Sequence, residues 1–480
     1  MRVAIIGGGI AGLSAAYELE QARLAGAPVE YELFEAGAHV GGVIASEVVD
    51  GTVIERGPDS FLTEKPAALE LCRELGLEAE FVPSNDMQRK TYILVRNRLV
   101  PLPDGLMFMV PTKLLPTLLT PLFSVWTKVR MAAELLYSPR RPAGDESVAA
   151  LVKRHYGRAV VDRLADPLLS GIYGGDADCL SAEAVLPRLV EMEAKYGSLT
   201  RGMLEGLSAR RAAGGGESSK PTFTTLRRGL RQLVDALAGR VDAARVHLNS
   251  AVLGVDRVAD GWSVRGSDDT QMFDAVIVAT PAWAAAEMLS SADGELSGAL
   301  AEIPYSSSIT VNLVYDGEEL DPLPPGFGFL VPAVEGRGML ACTFIHRKFP
   351  GRTAAGKTVL RVFLGGVRNA ELLRESDEEL EQRVRGELFQ ILQISAVPEL
   401  VEIQRWPRAM AQYAVGHKER QRRIQERLRA LPGLYLAGNA YDGIGISDCI
   451  RLGRGAARGI VGGAARDGAA RRVEADFLRE

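Results

Sequence analysis

The sequence predicts an α/β protein built from a discontinuous parallel-sheet domain, an antiparallel-sheet domain and a mostly helical insertion. Three observations predict it. Val3 to Gly12 reads as strand, glycine turn and helix, and a second strand follows that ends at Glu35. Leu434 to Gly455 (LYLAGNAYDGIGISDCIRLGRG) gives strand, glycine turn and helix again at the opposite end. Residues 305–365 alternate apolar and polar positions, the period of half-buried antiparallel strands. The chain has 480 residues, more than one core usually fills, so two or three structural units are expected.

The first unit is a βαβ turn of the kind that holds a dinucleotide. Residues 3–6 form the strand, 11–24 the helix and 29–34 the second strand. Gly7 supplies the tight turn, Gly9 lets backbone approach a phosphate, and Gly12 allows close helix–strand packing; Gly8, Ile10 and Ala11 complete the loop. The helix start offers free N–H groups and a positive dipole end to a diphosphate. A carboxylate at Glu35 accepts from both ribose hydroxyls and repels a 2′-phosphate, which disfavours NADP. This motif alone does not separate NAD from FAD. The two glycine-rich ends together point to FAD, enclosed by a Rossmann-like domain whose strands come from the whole chain.

Further along, Gly41-Gly42-Val43 and Glu55-Arg56-Gly57-Pro58-Asp59-Ser60 read either as backbone running beside an extended cofactor or as an ordinary hairpin turn. Residues 64–82 read as helix and 90–102 as a hairpin. Within the helical stretch 106–207 lies a small-residue turn, Asp166 to Asp176. Residues 208–220 (SARRAAGGGESSK) read as a surface loop. After Thr222 come an amphipathic helix over 225–239, a strand from Val246 to Val255, another beginning at Trp262, and a buried strand from Ala275 to Thr280. Residues 371–394 form a charged helix, and the last helix, from about 447, ends in a frayed tail from about 465. The expected FAD-binding domain comprises 1–88, 221–290 and 405–480. Residues 89–105 and 291–404 make the substrate-binding domain, and 106–207 the helical one.

Net charge is −5 and no basic tract dominates, so a nucleic-acid partner is not expected. Cys72, Cys179, Cys342 and Cys449 form no CxxC pair and read as buried, reduced thiols. The five histidines lack metal-ligand spacing, so no metal is expected. Met1-Arg2 leads straight into an apolar strand with no secretory leader, and a cytoplasmic location is expected. The most apolar stretch, Leu106 to Trp126 (LMFMVPTKLLPTLLTPLFSVW), is long enough for a bilayer span. Lys113 and the prolines at 111, 116 and 121 break any continuous helix there. It reads as short apolar helices or turns lining a cavity, with peripheral contact on the inner face of a membrane as the alternative.

The paired ends resemble the FAD-binding fold shared by amine oxidases, phytoene desaturases and protoporphyrinogen oxidases. Within that superfamily, PLLSGIYGGDADCLS (167–181), RKTYILVRNRLVPLP (89–103), VPTKL (110–114) and WPRAMAQYAVGH (406–417) resemble segments of the oxygen-dependent porphyrinogen oxidases. Their style is similar to the bacterial branch, whose substrate is often coproporphyrinogen III rather than protoporphyrinogen IX. The resemblance implies that the diphosphate lies on Gly7 to Gly12 and the adenosine ribose at Glu35 with Ala36 alongside. It also implies that Gly42 and Val43 touch the middle of FAD, that Gly57, Pro58, Asp59 and Ser60 run beside the flavin end, and that Val252 meets the adenine through its backbone. Trp406 packs near the isoalloxazine on this reading, or is simply a core residue. Gly445, Ile446 and Ser447 approach the flavin's polar edge, where a helix N-terminus stabilises negative charge on the reduced ring.

The implied reaction removes six electrons, as three pairs, from a porphyrinogen in haem biosynthesis. FAD takes each pair, O2 returns the flavin to its oxidised state, and H2O2 forms. No catalytic side chain is nominated, because the flavin performs the chemistry and no acid/base constellation stands out. The pocket should join a wide apolar slot to a cation at its mouth. Lys90 is the first candidate propionate partner and Arg89 the second; both read equally well as solvated charges on a hairpin. Gly171 and Ile172 are candidates for one slot wall, or a helix break with a core isoleucine, and Phe327 to Leu330 for the opposite wall. Competing readings are a flavin amine oxidase, a carotenoid desaturase, and a non-catalytic binding protein of the GDP-dissociation-inhibitor type. Both monomer and homodimer remain open.

Overall fold

The computed structural model describes residues 1–107, 109–140, 144–212, 221–317, 320 and 323–477. The β-branched run after Met1 forms strand Arg2–Ile6, the centre of a five-stranded parallel sheet. The strand order is Val246–His247, Glu30–Phe34, Arg2–Ile6, Ala275–Val278, Leu434–Leu436. Strand Ala275–Val278 pairs with Arg2–Ile6 on one side and Leu434–Leu436 on the other, so the two ends of the sequence meet in one sheet.

Parallel strands need cover on both faces. Val3, Ile5 and Leu33 pack beneath helix Ile10–Leu24, while Ala4, Ile6, Val276 and Val278 pack against Trp262, Phe273 and Leu289. Helix Ile10–Leu24 also lies against the last helix, Ile446–Phe477. The approach is close enough that a Cβ on Gly453 would collide with the Ala11 carbonyl oxygen.

The second sheet has seven strands in the order Leu400–Ala411, Tyr305–Asp316, Lys357–Gly365, Met339–Phe344, Gly328–Leu330, Thr91–Val95, Arg98–Pro101. All its pairs are antiparallel except Gly328–Leu330 with Thr91–Val95. Its pleat sorts side chains to two faces. Val311, Leu313, Leu360, Val362 and Leu364 turn to a core beneath helix Asp377–Leu392, which starts with a Ser376/Glu379 capping box. Thr310 and Asn312 turn the other way and donate to the Arg56 and Glu55 carbonyls, joining this sheet to the parallel-sheet domain.

Several expected elements differ. The helix expected over 64–82 is Pro66–Glu74, ended at Gly76 with φ 78°, and a short strand Phe81–Pro83 follows. The strand expected over 246–255 splits in two, because the Asn249 and Ser250 amides leave the sheet to donate to Gly37 and Glu35 carbonyls. The small-residue turn 166–176 is largely helix, Asp166–Tyr173: Pro167 occupies its first turn, Gly171 is accommodated within it, and left-handed Gly174 ends it. The expected loop 208–220 begins as helix through Ala212, and 213–220 lie outside the described residues. The last helix continues through the expected frayed tail to Phe477. Cys72, Cys342 and Cys449 are buried, but Cys179 is exposed; all four are free thiols.

The apolar stretch 106–126 becomes a small hairpin and two short helices, Leu114–Leu119 and Val125–Ala133. Leu122 and Phe123 are buried, whereas Leu115, Leu119, Val125 and Trp126 are mostly exposed, so much of the stretch faces outward rather than into a cavity. Among the described residues no helix is long and apolar enough to cross a membrane.

Candidate active site

Three backbone segments converge at the carboxyl end of strand Arg2–Ile6. Gly7 has φ 103°, and a Cβ on Gly12 would collide with the Gly7 carbonyl oxygen. Helix Ile10–Leu24 starts with no side-chain cap and no acidic residue in its first turn, and nothing lies within 4 Å of a Cβ built on Gly9. An uncapped helix start beside open backbone fits a diphosphate. The second glycine turn closes on it: Gly41 N donates to Gly8 O at 2.8 Å, and a Cβ on Gly42 would stand 3.3 Å from Gly9 Cα.

Glu35 is fixed by backbone. Its Oε2 accepts from Gly8 N at 2.6 Å and its Oε1 from Gly37 N at 2.7 Å, which leaves one lone pair on each oxygen for a hydroxyl. Ala36 follows, exposed, and the loop to Val252 runs alongside because Ser250 N donates to Glu35 O at 2.8 Å.

A Cβ on Gly57 would collide with the Val43 carbonyl oxygen and stand 3.6 Å from Trp406 Cζ2. Trp406 lies on strand Leu400–Ala411 of the seven-stranded sheet, and its Nε1 donates to Arg56 O at 2.8 Å. Pro58, Asp59 and Ser60 continue from there, and Ser60 Oγ donates to Asp59 at 2.6 Å.

At the other end, Ser447 Oγ donates to Lys65 O at 3.1 Å, and Lys65 Nζ pairs with Asp448 Oδ2 at 2.6 Å. Asp448 Oδ2 also accepts from Gly445 N at 3.2 Å, so a carboxylate and its ammonium partner stand at the helix start beside Gly445, Ile446 and Ser447. Tyr413 holds the preceding turn: its hydroxyl accepts from Gly443 N at 2.9 Å and donates to Asn439 O at 3.0 Å.

One cross-strand row of the seven-stranded sheet is apolar over four positions and polar over its last two. Register places Ile93, Leu330, Ala341, Phe363, Thr310 and Gln404 side by side. Gly171, on helix Asp166–Tyr173, faces this row: a Cβ there would lie 3.1 Å from Leu330 Cδ2. Two residues on, the Tyr173 ring is 6.3 Å from that of Tyr413, and its hydroxyl is pushed up to about 12 by burial and by Asp448. Ile172 is 56% exposed. Phe329, proposed from sequence as wall, turns to the far core with Phe344 because the pleat alternates; Leu330 and Gly328 hold the facing positions.

The two candidate propionate partners sit at the near end of this sheet. Lys90 is exposed, and its carbonyl accepts from Phe327 N at 2.8 Å. Arg89 donates to Thr222 Oγ1 at 2.8 Å, and the Thr222 carbonyl accepts from Thr63 N, two residues before Lys65.

The sequence reading missed the charges beneath Gly57–Ser60. Lys348 Nζ is 3.1 Å from Asp59, Arg361 is 3.8 Å from it and donates to Gly57 O, and Arg352 meets Glu55 at 2.5 Å. Burial pushes the Asp59 carboxyl up, but Lys348 and Arg361 override this and hold it well below the usual carboxylate range. Burial pushes the Glu55 carboxyl up despite Arg352. A signal existed in the arginine interrupting the apolar strand KTVLRVFLG.

The chain matches the family model described as flavin containing amine oxidoreductase over residues 10–461. It is 34% identical to the coproporphyrinogen III oxidase of Bacillus subtilis (strain 168), covering 95% of this chain and 96% of that one. It is 29% identical to protoporphyrinogen oxidase 2, chloroplastic/mitochondrial, of Arabidopsis thaliana, covering 94% of this chain and 92% of that one. A crystal structure of an Exiguobacterium sp. 255-15 protein, provisionally named a protoporphyrinogen oxidase, superposes with a TM-score of 0.84 at 33% identity, covering 96% and 98% of the two chains. A putrescine oxidase at 17% identity and TM-score 0.69 shares the fold. The cofactor of the chain is FAD, and the chain belongs to the flavin-containing amine oxidoreductase family.

Proposed function

We propose that the protein oxidises a porphyrinogen to the porphyrin in haem biosynthesis, with coproporphyrinogen III as the favoured substrate and O2 as the electron acceptor. The observation that carries the reading is the glycine-lined backbone crevice closed by both ends of the chain, beside which the apolar row Leu330–Ala341–Phe363 packs against Gly171 of helix Asp166–Tyr173. Similarity over nearly the full length to coproporphyrinogen III oxidases supports it.

In this reading Gly7 to Gly12 cradle the diphosphate, Glu35 and Ala36 meet the ribose, and Val252 meets the adenine. Gly42, Val43, Gly57, Pro58, Asp59, Ser60, Trp406, Gly445, Ile446 and Ser447 line the rest of the cofactor. Bound FAD supplies the two-electron acceptor for each of three successive oxidations. The chain's own task is to orient. Gly171 lets helix Asp166–Tyr173 pack closely on Leu330, and Leu330 and Phe363 offer apolar surface to the macrocycle. Tyr173, kept neutral, closes the inner end. Lys90, Arg89 and the half-exposed Lys65 offer cations for propionates. Aromatisation drives the reaction, so a strong base is not required.

The exposed Leu115, Leu118, Leu119, Val125, Trp126 and Val129, close to Lys113 and Lys128, form an apolar patch rimmed by cations. Such a patch favours peripheral contact with an anionic bilayer. Co-sedimentation with phosphatidylglycerol vesicles, lost in Trp126→Ser, is the expected outcome.

Side-by-side turnover of coproporphyrinogen III and protoporphyrinogen IX, followed by porphyrin fluorescence and peroxide release, tests the main reading. Faster turnover of coproporphyrinogen III with stoichiometric peroxide is expected. No fluorescent product from either would remove the proposal.

A further inference from the structure

Beside the apolar row runs a second row of the same sheet face: Thr91, Gly328, Thr343, Arg361, Asn312 and Glu402. It passes under Glu55–Gly57, and Lys348 and Arg352 reach the same place. Three cations therefore crowd the two carboxylates Glu55 and Asp59, while Arg56 pairs with Glu402 and Glu47 at the outer side. The arginines are almost wholly enclosed, at 1% and 2% side-chain exposure. Among the described residues, the Nε and Nη1 of each have no hydrogen-bond partner.

A purely structural account covers part of this. Arg361 donates to Gly57 O and Arg352 pairs with Glu55, both tying the two sheets together. It does not account for three cations gathered on two carboxylates, or for four enclosed donors with nothing to accept from them. Enclosed charge is costly, and apolar residues of the same size would join the sheets as well or better. A cation in a low-dielectric wall has one large effect: it stabilises negative charge that appears next to it. The neighbouring backbone is Gly57–Ser60, where the proposed function puts the flavin.

We infer that Lys348, Arg352 and Arg361 form a fixed cationic floor under the flavin that raises its reduction potential, favouring the electron-loaded state. The inference rests on the flavin placement proposed above. Lys348, Arg352 and Arg361 are positioning residues; they hold charge in place and transfer no proton or electron. Asp59 is the counterweight, since it faces both Lys348 and Arg361.

The test uses the FAD-loaded protein with no porphyrinogen, and reads the two-electron midpoint potential by reduction against a reference dye. Lys348→Met should shift the oxidised-to-reduced ratio about tenfold toward the oxidised flavin, a fall of about 30 mV for a two-electron couple. Lys348→Arg should restore the wild-type value. Asp59→Asn, which adds to the net positive charge, should move the potential upward. A structural role alone would not give opposite signs. Unchanged potentials in both charge variants, or shifts of one sign, would overturn the inference. Should Lys348→Met lose its flavin, the sign of the Asp59→Asn shift decides. A wild-type protein that binds no FAD would instead sink the flavin placement itself.

Discussion

At the dinucleotide turn, shape is set by backbone: Gly7, Gly9 and Gly12 lie close in sequence, a Cβ on Gly7 or Gly12 would collide with neighbouring backbone, and Gly9 opens onto free space. In the apolar row, surface is set by side chains from separate strands, Leu330, Ala341 and Phe363, with Leu330 meeting Gly171 of helix Asp166–Tyr173. Substitution in the first region should strike the cofactor, and substitution in the second should strike the substrate. Cofactor and substrate halves of the site should therefore fail differently when mutated.

The largest expected effect breaks the backbone side of this contrast. Gly12→Val drives a side chain into the Gly7 carbonyl, and flavin occupancy should drop by at least roughly tenfold, read from flavin absorbance against protein absorbance. Glu35→Ala removes the acceptor for Gly8 N and Gly37 N and should weaken FAD retention less severely. Normal occupancy in both would remove this turn from the cofactor site.

The next effect sharpens the other side. Gly171→Leu overpacks the contact with Leu330 and should raise the porphyrinogen KM roughly tenfold while flavin content stays normal. A variant that loses flavin instead would place Gly171 in the cofactor half.

A third prediction concerns the joint between the halves. His417 stacks on Tyr413, with ring centroids 4.0 Å apart, and Tyr413 holds the glycine turn before the last helix. Burial, then Arg420 and Lys418, pull the His417 imidazole down to about 4, against the opposing pull of the Tyr441 carbonyl and Asp145. The unfolded chain takes up this proton below about 6.5, the folded one only near 4. Stability from this group is complete above the unfolded value and drains away as pH falls between the two, by up to about 3 kcal/mol. Urea unfolding at neutral pH and near pH 4.5 should show this loss in the wild type and a smaller one in His417→Phe. Parallel losses in both would assign the slope to other groups.

The smallest effect is at the mouth. Lys90→Ala should raise KM by roughly threefold, the scale of an exposed ion pair. An unchanged KM, with a rise in Lys65→Ala, would move the propionate anchor to Lys65.

What was legible follows from the same contrast. Strand Arg2–Ile6, the glycine turn, Glu35 and the terminal strand and helix are contiguous signals, and their roles come from local backbone rules. The slot was only partly readable. Gly171 carried a local signal, but its partner Leu330 belongs to a row whose register runs across six strands, and the alternation that sends Phe329 to the far core is visible only once pairing is known. The helix through Asp166–Tyr173 was hidden because Pro167 and two flanking glycines imitate a turn. Lys348 and Arg361 were missed because they sit in segments that read as ordinary sheet.

The most direct measurement is anaerobic mixing of the FAD-loaded protein with coproporphyrinogen III. The account predicts that the oxidised flavin band bleaches in a single turnover and returns when air is admitted, with peroxide formed. A flavin that stays oxidised in the presence of excess porphyrinogen would contradict it.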